Sequence, residues 1–158
     1  MSERPDPYQR LKELGLELPV PLPPVANFVP SVREGNLVFL SGQGPLEPGS
    51  GMKTGKVGAD VSAEQAYEHA RLAGLLLLGV LHRELGTLGR VTRVVKVLGM
   101  VNALPDFTMH PKVINGCSDL FVAVFGKSAG AHARSAVGVG SLPGNITVEI
   151  EAIVAIAD

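Results

Sequence analysis

The chain has 158 residues, 46% of them apolar and 18% charged, with a formal net charge of −1. That size and apolar content suit one domain with its own core, and the near-neutral, scattered charge excludes the basic stripe of a committed nucleic-acid binder. The longest apolar run, Leu72 to Leu81, is about half the ~20 residues of a membrane span, and the opening MSERPDPYQR lacks the apolar stretch of a secretory signal; no membrane partner and a cytoplasmic location are expected.

From the N-terminus, Pro7 to Leu14 can form a short helix. The following PVPLPPVANF is too rich in proline for a helix interior or a central strand, and reads as an extended arm on the domain. Residues 1–24 are therefore assigned to an N-terminal helix and arm, and 25–158 to an α+β domain. Asn36 to Ser41 (NLVFLS) has the composition of a buried strand, and the Gly- and Pro-rich stretch Gly42 to Asp60 reads as a long loop. Asp60 or Ser62 can cap the next helix, with Ser62 and Gln65 giving a capping box, apolar residues continuing to about Leu85 and Gly86 as a stop. Val91 to Val101 is a β-branched strand, a second helix runs from about Pro111 to Phe125, and Ala133 to Gly140 and Ile146 to Ile156 are strands joined by SLPGN.

This order predicts one sheet with two helices on one face, closed by an antiparallel C-terminal hairpin. Val91 to Val101 and Ala152 to Ala157 are apolar at successive positions, so both sheet faces need cover, and self-association through the sheet is expected.

Arg134 stands among small residues, where a guanidinium has room to bind a carboxylate bidentately; a structural ion pair is the competing reading at even weight. Glu149 and Glu151 share one strand face in apolar sequence, and a shielded carboxylate can exchange protons near neutrality. With a four-residue turn at Leu142 to Asn145, Gly138 faces Glu149, and Arg134 lies on the Glu149 face about 13 Å away at ~3.4 Å per residue. Gly138 and Gly140 then keep a hollow open beside Glu149, unless they serve only twist or a bulge. His69, His82, His110 and His132 have no metal-ligand spacing and read as structural or surface residues. Cys117, the one cysteine, reads as a small buried thiol and excludes an intrachain disulfide or thiolate-rich metal site.

Ala133-Arg134-Ser135, then Leu142-Pro143, then Val148-Glu149-Ile150-Glu151-Ala152 resembles the C-terminal signature of the Rid/YjgF reactive-intermediate deaminases, a family also described as L-PSP endoribonucleases or translation inhibitors. Ser41-Gly42-Gln43 with Pro45 and Thr54-Gly55 is a second matching element, and the likeness spans about Val25 to Ala157. KVGADVSAEQAYEHARLAG, RVVKVLGMVN and HPKVINGCSDLF are fuller than in the compact deaminases and resemble a longer branch.

The resemblance implies a chorismate-mutase-like fold and a homotrimer whose sheets form an inner barrel, with pockets between neighbouring subunits. It further implies hydrolysis of 2-imino or enamine acids to 2-oxo acids and ammonia, without metal or organic cofactor. Arg134 would pair with the substrate carboxylate and Glu149 would position or activate water, with Ser41, Gly42 and Asn115 in the pocket. Two pocket positions depart from the family pattern: Phe28 replaces a tyrosine and so lacks its hydroxyl, and Ala136 replaces a frequent cysteine. A non-catalytic regulatory protein that binds small carboxylates is the alternative. The older ribonuclease reading ranks last, for want of a basic stripe or an acid/base histidine pair.

Overall fold

The computed structural model describes residues 4–158. Helix α1 (Pro7–Glu13) begins where the Asp6 side chain accepts a 2.9 Å hydrogen bond from the Tyr8 amide, and it buries Leu11 in the core. Further along lie β1 (Ser31–Glu34), β2 (Leu37–Gln43), a two-stranded ribbon of β3 (Leu46–Glu47) and β4 (Gly51–Met52), and helix α2 (Ala63–Leu85). The C-terminal half adds β5 (Val91–Asn102), helix α3 (His110–Gly130), β6 (Ala133–Val139) and β7 (Val148–Ile156). The Ser62–Gln65 capping box forms with both hydrogen bonds, and Gly86 ends α2 in the left-handed conformation. Gly126, at φ 82° and ψ 163°, breaks the regular helix near its expected end, and a further turn carries α3 to Gly130.

The main sheet has five strands in the order β1-β2-β7-β5-β6. Both long helices cover one face, over the inward-facing Val94, Val97, Val101, Val148, Ile150, Ala152 and Val154. Helices α2 and α3 cross closely because residue 116 is glycine: a Cβ there would sit 1.9 Å from the Tyr67 carbonyl oxygen. On the other face Val32, Leu37, Phe39 and Val137 remain exposed beside Glu149 and Glu151.

The structure corrects three expectations. The stretch after Gly42 is not wholly loop, since β2 runs on to Gln43 and β3 and β4 form a ribbon; β1 is an additional strand pairing with β2. The C-terminal hairpin does not form: β6 pairs in parallel with β5 at the sheet edge, whereas β7 lies between β2 and β5, antiparallel to both. The physical cause is the anchoring of the connection. The Asn102 side-chain amide, 1% exposed at the end of β5, donates to the carbonyls of Gly55 and Ile146 and to the Asn145 side chain, drawing residues 145–147 across β5 to its far side.

The third correction follows from that register. Arg134 is level with Val97 and Ala152, both under the helices, while Glu149 is level with Met100 on the opposite face. Arg134 and Glu149 therefore occupy opposite faces of the sheet. Gly138 also lies on the helix side, where its missing side chain makes room for the His110 ring and not for Glu149.

Candidate active site in two halves

One half is built on the edge strand β6 and helix α3. Helix α3 starts beside the edge strand with proline in its first turn, where the missing N–H costs nothing, and the helical repeat puts Asn115 and Ser118 on the side of the Pro111 carbonyl. The Arg134 Nη1 group donates to Asn115 Oδ1 at 2.8 Å and to Ser118 Oγ at 3.1 Å, and Nη2 donates to the Pro111 carbonyl at 3.3 Å. Those bonds use three of the five N–H donors of a guanidinium and leave Nε–H and one Nη2–H, the number that a bidentate carboxylate takes. Among the described residues no acidic side chain pairs with Arg134, so the structural ion pair is not what holds it. Ala136 lies two residues further along the same strand face, partly buried against the core.

The second half is on the open face. The Glu149 carboxyl lies over the backbone of Gly42, where a Cβ would come within 2.9 Å of both Cγ and Cδ of the glutamate. Glycine at 42, within the irregular register between Leu40 and Gln43, is what lets the carboxyl occupy that place. Burial holds the Glu149 pKa above the usual carboxylate range, and the nearby Glu151 charge adds to the shift. Ser41 does not point freely into a pocket. Its hydroxyl donates to the Val29 carbonyl at 2.6 Å and its amide to the Pro30 carbonyl at 2.9 Å, tying the end of the arm, and with it the half-exposed Phe28, to β2.

Arg134 with Asn115 and Ala136 thus forms one group and Glu149 with Gly42 another, while Ser41, next to Gly42, holds Val29 and so lies one residue from Phe28. Ala152, level with Arg134, is three residues from Glu149 and two strands from β6, so the two groups stand roughly 14 Å apart at Cα, on opposite faces.

Sequence reasoning missed Ser118 and the role of His132. Asn115 and Ser118 are spaced i, i+3 on a helix, a signal that was present in the sequence. His132 is half-buried, with Nε2 2.8 Å from Ser118 Oγ and Nδ1 2.7 Å from the Gly130 carbonyl. Cys117 is fully buried and its thiol pKa is pushed up by that burial, which removes it as a nucleophile at neutral pH. Among the described residues no group of three or more His, Cys, Asp and Glu side chains is placed to hold a metal ion, and no helix is long and apolar enough to cross a membrane.

Comparison with known proteins agrees with this architecture. The chain is 41% identical over 144 residues to Protein TCP17 of Trypanosoma cruzi, covering 91% of this chain and 90% of that one. It is 31% identical over 129 residues to the 2-iminobutanoate/2-iminopropanoate deaminase of Escherichia coli K12, covering 82% and 87%. The crystal structure of the Agrobacterium tumefaciens protein Atu1372, described as of unknown function, superposes with a TM-score of 0.88 at 44% identity, covering 96% of this chain and 92% of that one. The model of the YjgF/chorismate mutase-like endoribonuclease family matches residues 8–152, and the chain belongs to that family.

Proposed function

We propose that this protein hydrolyses 2-imino acids, and their enamine tautomers, to 2-oxo acids and ammonia, in a pocket made where two copies meet. The observation that carries the reading is Arg134: an edge-strand guanidinium fixed by three neutral acceptors, without an acidic partner among the described residues, and with two donors left for a carboxylate. The 31% identity to an imino-acid deaminase supplies the substrate class. Two copies are required because Arg134 and Glu149 face opposite sides of one sheet; β6 of one copy meets the open face of its neighbour. A head-to-tail ring, here a homotrimer, repeats that contact and covers Val32, Leu37, Phe39 and Val137.

In this pocket Arg134 holds the substrate carboxylate and so fixes the imine carbon. Glu149 from the adjoining copy takes a proton from water as the water oxygen bonds to the carbon of the protonated imine, giving a neutral carbinolamine. Glu149 then passes that proton to nitrogen, the C–N bond breaks and ammonia leaves, and the hydroxyl gives its proton back to Glu149 as the C=O bond forms. The raised Glu149 pKa suits a group that must both accept and return a proton near neutrality. No metal or organic cofactor is needed for these steps.

The test is ammonia release from freshly generated 2-iminobutanoate. Wild-type protein accelerates it, and Arg134→Ala lowers kcat/KM about a hundredfold by removing a charge-assisted carboxylate pair. Equal rates for the two proteins would contradict the reading. Phe28, which offers no hydroxyl to the pocket, keeps a second reading open to the same assay: tight binding of a 2-oxo acid at Arg134 without turnover of any imine would mark a carboxylate-binding regulator.

A further inference from the structure

Arg134 is held by a chain of hydrogen bonds whose direction the chemistry fixes. The Gly130 carbonyl can only accept, so the His132 Nδ1 atom 2.7 Å away must carry a proton. In the neutral ring Nε2 is then an acceptor, and the Ser118 hydroxyl 2.8 Å away must donate to it. With its proton committed, Ser118 Oγ turns a lone pair to Arg134 Nη1 at 3.1 Å. Each group has one orientation that satisfies its neighbours.

We infer that His132 and Ser118 are positioning residues that aim the Arg134 guanidinium at the substrate carboxylate, and that the aim is kept only while His132 is neutral. The inference rests on Arg134 being the carboxylate-binding group. A protonated ring makes Nε2 a donor, so Ser118 Oγ must receive both Nε2–H and Arg134 Nη1–H while its own proton loses its acceptor, and a second positive charge joins the guanidinium.

The groups around the ring favour the neutral form. From α3 come Ser118 and the edge of Phe121, whose ring centroid is 6.1 Å away, and from the α3–β6 link comes the Gly130 carbonyl. Arg134 on β6 is the charged neighbour. Of the titratable groups next to Ser118, the Cys117 thiol is buried and the Asp119 carboxylate is bound by the Tyr67 hydroxyl; Lys96 on β5 turns instead to Ser135, and Lys127 is exposed. Burial first, and then the Arg134 charge, lower the His132 pKa, opposed by the Gly130 bond.

The test uses the full-length protein and two readouts. Ser118→Ala and His132→Phe should each raise KM for the imino acid about tenfold, as expected for losing support of one charge-assisted hydrogen bond, with a smaller change in kcat. His132→Gln, which keeps an acceptor but does not titrate, should recover much of that loss and remove the His132 part of the acid limb expected of wild type in kcat/KM, leaving the part that Glu149 protonation sets. Independently of turnover, the Arg134 Nε–H signal in NMR should shift with pH in step with the His132 ring nitrogens in wild type, and should not in His132→Gln. Coupled signals without imine hydrolysis would sink the deaminase reading and leave the relay standing. Hydrolysis that depends on Arg134 but keeps its KM in Ser118→Ala and His132→Phe, with the acid limb unmoved in His132→Gln, would overturn the relay and leave the deaminase standing. An Arg134 signal that does not follow His132 would also overturn it.

Discussion

Glu149 is the residue whose surroundings most directly oppose its charge. Its folded-state pKa lies above that of an unfolded glutamate, so the native protein binds the proton more tightly than the unfolded chain does. The resulting cost to stability is absent below the unfolded pKa and appears as pH rises through the folded one. Glu149→Gln removes the charge while keeping the shape, so its melting temperature at pH 7 should exceed that of wild type, with the gap closing as pH falls below the ordinary carboxylate range. The same variant should lose about a hundredfold or more in kcat, because the proton acceptor is gone. Calorimetry across pH alongside the ammonia assay checks both; a variant as active as wild type would contradict the assigned role. That Glu149 is half-shielded was legible in VEIEA, since the alternation puts both glutamates on one face between apolar neighbours. The fixed guanidinium was only half legible: Arg134 stands out in the sequence and Asn115 comes from the family resemblance, but the Ser118–His132 support depends on how β6 lies along α3.

At the scale of elements, local chemistry carried the reading and long-range pairing did not. The capping box at Ser62, the stop at Gly86 and the β-branched run beginning at Val91 depend on neighbouring residues and formed as expected. The Pro-Gly turn after β6 is equally local, yet the strands beside it do not pair, because Asn102 holds the connection from across the sheet. One misassigned pairing reversed the face assigned to Arg134. The α2–α3 contact is another long-range feature carried by one residue. Gly116→Ala should lower stability by about 3 kcal/mol or more, since the colliding atom is the Tyr67 backbone carbonyl and cannot swing aside as a side chain would. Denaturant unfolding measures it, and a change under about 0.5 kcal/mol, the range of a neutral surface substitution, would contradict the close crossing.

For the whole molecule, Arg134 and Glu149 on opposite faces of a single sheet make assembly a requirement of the proposed reaction. Double-faced apolar strands pointed to self-association from the sequence, but the division of Arg134 and Glu149 between the two faces did not show there, because it follows from β5 separating β6 from β7. Light scattering should return three chains per particle. The more direct measurement is subunit complementation: Arg134→Ala and Glu149→Gln proteins, each inactive alone, are unfolded together, refolded as a one-to-one mixture and assayed for ammonia release. In a ring where each pocket takes Arg134 from one copy and Glu149 from the next, random assembly gives an intact pair in about one pocket of four, so about a quarter of wild-type activity should return. A mixture as inactive as its two components would place both residues of the working site in one chain, and would contradict the account.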